Sequence, residues 1–285
     1  MRFDEYWRQV DTELAGFPAR PSLTPTPARS TADFTGFEVR LTGLASYRLF
    51  GYLSVPTGSG PFPALLETPR HGSVNHVPDY QDRMRYVVFT AMHRGQRLAD
   101  SPFAASYPGL FTLGIDAPET FIYRGIVADC LRAAEFLFDR PEIDPQRVGI
   151  SGDDLALLTA ARRPGFAAIR VTGPLLHQPL TRRHGTDEYP LEELNDRLRH
   201  RPDDESALAE TLSLFEPTRH ATAIKARTLL ATSDPSPWHE SLLTALAPET
   251  YSRTDDEADD AVELDAWLAR CLGVEPRSRF LDDAR

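Results

Sequence analysis

The segment Val148-Gly149-Ile150-Ser151-Gly152-Asp153-Asp154-Leu155-Ala156-Leu157 has the composition of a strand that turns sharply into a helix. A side chain at the tip of such a turn stands clear of its neighbours, and small flanking residues let the backbones approach. That is a place for a nucleophile or a proton carrier. Two registers fit. With Ser151 at the tip the motif is Gly149-Ile150-Ser151-Gly152-Asp153, and an acid occupies its last small position. With Asp154 at the tip it is Gly152-Asp153-Asp154-Leu155-Ala156, small on both flanks. The second leaves a full strand, Arg147 to Ser151, and starts a helix at Leu155, so it is preferred and Ser151 is assigned to the strand end. The choice decides the chemistry. A serine hydroxyl is a poor nucleophile until an imidazole takes its proton, and that imidazole later protonates the leaving group. A carboxylate needs no deprotonation to attack an alkyl carbon, although freeing the resulting ester still needs a base for water.

The elements around this turn follow from periodicity. Phe3, Trp7, Val10 and Leu14 recur at helical spacing, and a proline-rich strap runs from Phe17 to Pro27. Phe37, Val39 and Leu41 alternate as one strand, and Leu49, Gly51, Leu53 and Val55 as its antiparallel partner. Short apolar runs then alternate with helices: Ala64–Leu66, Tyr86–Ala91, a helix Phe121–Phe138, the strand Arg147–Ser151, a helix Leu155–Ala161, and strands at Ala168–Val171 and Thr228–Ala231. A short strand near Glu249–Tyr251 and a helix Ala261–Leu272 follow. Continuous apolar strands between helices predict a mostly parallel sheet covered on both faces. An antiparallel pair leading into such a sheet is the α/β-hydrolase pattern. Residues 177–222 break the alternation and are polar, with helical stretches at Leu191–Arg199 and Glu205–Phe215. They are expected to form a helical cap after the sixth strand, within one domain spanning 1–285 whose first 30 residues are helix and strap.

Composition narrows the partners. Of 285 residues, 41% are hydrophobic and 26% charged, with 31 basic and 42 acidic side chains for a net charge of −11. Nucleic-acid binding and adhesion to an anionic membrane both need a basic face, so neither is expected. No run approaches the ~18 apolar residues of a membrane span, and the opening residues Met1 to Trp7 lack the basic-then-apolar order of a signal peptide. The expected location is the cytoplasm. Cys130 and Cys271 each fall in a predicted helix and are expected to be small buried hydrophobes.

Scattered segments resemble the acetyl xylan esterase and cephalosporin C deacetylase family of α/β-hydrolases. They are Phe3-Asp4-Glu5-Tyr6-Trp7, Arg94-Gly95-Gln96, Tyr123-Arg124 with Asp129 and Arg132-Ala133, Asp144-Pro145-Gln146-Arg147-Val148, and Ala223-Ile224-Lys225-Ala226. The resemblance implies a nucleophile at the position of Asp154, an orienting acid at Asp234, and a general-base histidine in the loop after the last strand, where Asp256 is the best match. No shift of register restores the imidazole, because His239 is the last histidine of the chain. The resemblance also implies oxyanion donors at the Leu155 amide and in the loop around Arg70-His71-Gly72, although the family's tyrosine-bearing motif in that loop is replaced. Self-association is an expectation on the same basis.

Acids in place of both serine and histidine suggest that Asp154, Asp234 and Asp256 converge. Crowded carboxylates cannot all ionise freely, so at least one is expected to titrate high and act as an acid or base, or to hold an ammonium group or divalent cation. The plainer alternative makes Asp153 and Asp154 caps of the helix at Leu155 and Asp255–Asp260 a solvated charge run. Arg70 and His71 border the turn, and His239 lies close to Asp234 in sequence. His177 and His184 are expected to be solvent-exposed. The expected function is acid–base chemistry on a small molecule without a serine nucleophile and with no cofactor. The alternatives are a catalytically silent homologue that binds a ligand or partner, and, third, an esterase or an aspartate-nucleophile hydrolase.

Overall fold

Tyr6, Trp7, Val10 and Leu14 form the buried stripe of α1 (Phe3–Ala15), at the spacing the sequence predicts. The computed structural model describes residues 2–72, 75, 77–232, 239–254 and 256–278. After α1 the strap contributes an edge strand, β1 (Ser22–Pro25), antiparallel to β2 (Phe34–Thr42). β2 pairs in turn with β3 (Arg48–Pro56). Then come β4 (Phe62–Glu67), α2 (Tyr80–Arg85), β5 (Val87–Met92), α3 (Ile122–Phe138), β6 (Ile143–Gly152), α4 (Asp154–Arg162) and β7 (Ala168–Thr172). Four helices lie between β7 and β8 (Arg227–Thr232): α5 (Pro179–Arg182), α6 (Glu192–His200), α7 (Glu205–Ser213) and α8 (Pro217–His220). The last elements are α9 (His239–Leu246), β9 (Glu249–Ser252) and α10 (Glu257–Leu272).

The nine strands form one sheet in the order β1-β2-β3-β5-β4-β6-β7-β8-β9. The pairings from β5 through β9 are parallel, and those from β1 to β5 along the sheet are antiparallel. This is the α/β-hydrolase fold. The helical insertion follows the seventh strand rather than the sixth, because the strap adds β1. Its pairing is possible because the four residues of β1 form an edge, where proline need not donate to a second neighbour.

Alternation along the parallel strands divides the side chains between two faces. One face carries Leu66, Phe89, Ile150 and Val171 into the main core against α3 and α4. The other carries Leu65, Val88 and Ala168 into a smaller core with Trp267, Leu268 and Leu272 of α10. α10 begins four residues before the expected Ala261, at Glu257. Among the described residues no helix is long and apolar enough to cross a membrane.

Candidate functional site

β6 runs to Gly152 and α4 starts at Asp154, so the backbone turns in the register that has Asp154 at the bend. Ser151 stays in the ladder between Glu67 and Arg170. The bend demands glycine at 152, where φ is +158° and an added Cβ would lie 1.9 Å from Thr68 Oγ1. Asp153 caps α4, its Oδ1 accepting from the Leu155 amide at 2.9 Å. The amide expected to stabilise an oxyanion therefore already carries a protein carboxylate. Asp154 is fully buried. Its Oδ2 accepts the amides of Leu175 and Leu176, the latter at 2.5 Å, which ties the loop after β7 to the bend. Its Oδ1 is buried with no hydrogen-bond partner among the described residues. Burial pushes both carboxyls up, and the charge of Asp153 adds to the rise at Asp154.

The other predicted residues are dispersed. Asp256 is exposed and caps α10, accepting the amides of Ala258 at 2.8 Å and Asp259 at 3.3 Å. It faces a helix end, not a shared pocket with Asp154, because the acidic run opens the helix instead of preceding it. Within that run Asp260 is buried, accepting from Tyr251, Arg253 and Thr254. Asp234 lies outside the described residues. His71 Nδ1 is 3.1 Å from the Tyr123 hydroxyl, and the ring stands edge-on to Tyr107 and Phe111. Burial, with the nearby His93, pushes His71 down to about 4, so it is neutral at pH 7. His239 is buried at the start of α9, its Nε2 3.3 Å from Thr232 Oγ1. His184 is exposed. His177, expected on the surface, is instead fully buried beside Glu216. Among the described residues no group of three or more His, Cys, Asp or Glu side chains is placed to hold a metal ion.

A polar constellation that the sequence reading missed lies on the α10 side of the sheet. Thr90, Glu67, Ser151 and Arg170 are successive register neighbours on β5, β4, β6 and β7. They form one row at the carboxyl edge, one step beyond the apolar row of Val88, Leu65, Gly149 and Ala168. Thr90 Oγ1 donates to Glu67 Oε2 at 2.7 Å, and Arg170 Nε donates to Ser151 Oγ at 3.0 Å. A cavity of about 280 Å³ opens over Ser151 and Arg170, bounded by Arg70, α2 and the first turns of α10. A smaller hollow of about 50 Å³ continues over Glu67, Thr90 and Asn75. Carboxyl ends of parallel strands are where open α/β sheets bind ligands. The available signals were a glutamate closing the run Ala64-Leu65-Leu66 and an arginine inside Ala168-Ile169-Arg170-Val171, both unusual in buried strands.

Charge is distributed unevenly around this cavity. Asp82 and Asp265 both pair with Arg85, and Asp260 pairs with Arg253. Among the described residues no carboxylate is ion-paired with Arg70 or Arg170. Arg70 is exposed, but its backbone is pinned. Its amide donates to Asn75 Oδ1 at 3.0 Å, and its carbonyl accepts from Gln96 Nε2 at 3.0 Å. Burial pushes Glu67 up to about 7, with the charge of Asp82 acting the same way and those of Arg170 and Arg70 opposing it.

The Glu67 shift has a testable sign. Its folded-state pKa lies above its ordinary 4.5, so the stability it supplies is complete below that value and is lost as the pH rises through about 7. Glu67→Gln keeps an acceptor for Thr90 and removes the titration. In urea denaturation, the loss of stability between pH 4.5 and 8 is expected to shrink by up to about 3 kcal/mol in this variant. Equal losses in both proteins would show that Glu67 titrates normally.

Comparison with known proteins agrees with this scaffold. Residues 1–234 match the family described as Acetyl xylan esterase (AXE1). The acetyl esterase Axe7A of Xylanibacter ruminicola is 23% identical over 194 residues, which is 61% of this chain and 43% of that protein. The chain thus spans less than half the length of that curated relative. An acetyl xylan esterase from Paenibacillus sp. R4 superposes with a TM-score of 0.76 at 22% identity, over 89% of this chain and 88% of that one. Acetyl xylan esterase 1 from Thermoanaerobacterium sp. JW/SL YS485 gives 0.74 at 19% identity, over 93% of each chain. The structural likenesses establish the fold, and with the family match running from α1 to the end of β8, this chain belongs to the acetyl xylan esterase family.

Proposed function

We propose that the chain performs acid–base chemistry on a small carboxylate-bearing molecule, without a serine nucleophile at the bend after β6. The observation that carries this reading is the in-register row Thr90–Glu67–Ser151–Arg170, whose Ser151 and Arg170 line the cavity beside Arg70 and whose Glu67 and Thr90 line the adjoining small hollow. Arg170 and Arg70 supply cationic forks for a ligand carboxylate. Glu67, titrating near 7, is matched to donate or accept a proton at neutral pH. Family-type deacetylation is disfavoured at the bend. Its expected nucleophile is a carboxylate holding two loop amides, and its oxyanion donor is bonded to Asp153. The same features also favour a second reading, a ligand-binding homologue without turnover.

The two readings part on one experiment. Small mono- and dicarboxylates are titrated calorimetrically, and bound ones are followed by proton NMR in D₂O for exchange or rearrangement. Arg170→Gln is expected to weaken binding by about 10- to 100-fold, the loss of one charged hydrogen-bonding group. Glu67→Gln is expected to slow turnover by about 100-fold or more while leaving binding in place. Binding without exchange supports the silent homologue. Binding insensitive to Arg170 and Arg70 counts against the site, as does hydrolysis of an acetyl ester that Asp154→Asn abolishes.

A further inference from the structure

Among the helices that follow β7, three side chains from separate elements form a relay. His177 lies in the loop after β7, Glu216 caps α8, and Ser241 is in the first turn of α9. His177 Nδ1 is 2.5 Å from Glu216 Oε1, and its Nε2 is 3.3 Å from Ser241 Oγ. Gln178 Nε2 donates to the same Oγ at 2.9 Å. A carboxylate beside Nδ1 favours the tautomer with the proton on that nitrogen, in which Nε2 can accept from the serine hydroxyl. Glu216 is itself held: its Oε2 accepts the Gln178 amide at 2.9 Å, and its Oε1 accepts from Thr218. Burial raises its pKa, but the hydrogen bonds from His177 and these backbone amides outweigh that and leave it below the usual range. His177 is fully buried, whereas Ser241 is exposed. The base is thus shielded and oriented beside a serine that lies at the surface.

We propose that Ser241 is a reactive nucleophile toward small activated esters, with His177 as its base and Glu216 as a positioning residue. None of the three occupies the position of Asp154, Asp234 or Asp256, and none lines the cavity at the sheet edge. The three residues are thus distinct from those of either site. In the first step Ser241 Oγ bonds to the acyl carbon while its proton passes to His177 Nε2. The bond from that carbon to the leaving oxygen then breaks, and the leaving oxygen takes the proton from His177. Water attacks the acyl-serine, gives its proton to His177, and Ser241 departs with that proton restored. The balance is ester plus water to acid plus alcohol.

The test is labelling of the full chain with a fluorophosphonate, which captures activated serines covalently, with the modified residue located by mass spectrometry. Labelling is expected on Ser241 and is expected to vanish in Ser241→Ala, an exposed substitution whose folding is checked by circular dichroism. Glu216→Gln is expected to slow labelling by about 10-fold or more without abolishing it, and His177→Gln by about 100-fold or more. A p-nitrophenyl acetate assay is expected to show a burst in the wild type that Ser241→Ala lacks. Absence of labelling in the folded wild type would overturn the proposal. So would labelling at another residue, or labelling at Ser241 with an unchanged rate in folded Glu216→Gln and His177→Gln proteins.

Discussion

Asp154→Ala is expected to destabilise the chain by about 2–6 kcal/mol, because it strands the amides of Leu175 and Leu176 at about 1–3 kcal/mol each. Asp154→Asn is expected to cost far less. Its side-chain oxygen can accept both amides, and it carries no charge into a fully buried position. The gap between the two variants separates a carboxylate that ties down a loop from one that merely fills space. The pH dependence gives a second handle. The folded-state pKa of Asp154 is raised, so its contribution is complete below the ordinary aspartate value and falls as the pH rises through the raised one. The asparagine variant is therefore expected to gain on the wild type between pH 4 and 8. Urea denaturation at both ends of that range measures all three proteins. Equal destabilisation by alanine and asparagine would mean that the two amides find other acceptors.

Asp129→Ala is the second large effect, at about 3–5 kcal/mol, the cost of leaving a largely buried arginine without its carboxylate. Arg94 Nε donates to Asp129 Oδ2 at 2.9 Å and Nη2 to Oδ1 at 2.7 Å, and the Arg94 amide adds a third bond at 3.0 Å. α3 accommodates the guanidinium through Gly125, where an added Cβ would lie 2.6 Å from Arg94 Nε. The pair also reaches the cavity. Arg94 opens the turn containing Gln96, and Gln96 Nε2 holds the carbonyls of Arg70 at 3.0 Å and Gly72 at 2.9 Å. Loosening Asp129 is thus expected to weaken ligand binding as well as stability, although Asp129 does not line the cavity. Denaturation and calorimetry on one protein preparation check both. A double substitution, Arg94→Met with Asp129→Leu, is expected to recover part of the stability, because no charge is then left unpaired. It is not expected to recover binding if the Gln96 turn has lost its anchor.

The strand–turn–helix at 148–157, the helices around Trp7 and Ile126, and the alternation of strands with helices along the chain were all determined by the sequence alone. Local periodicity and one tight glycine specify them, and neither needs a distant partner. The register with Asp154 at the bend was legible for the same reason. Only the tertiary structure decided what these residues touch. Asp154 reaching the amides of Leu175 and Leu176, Asp256 opening α10 and His177 beside Glu216 depend on where helices begin and on which loop folds back. The row Thr90–Glu67–Ser151–Arg170 depends on strand order. Its members are spread over 104 positions of chain, yet they become neighbours because β4 enters the sheet between β5 and β6 in one register. Strand order and register are set by packing against both faces, and no local pattern of residue types encodes them.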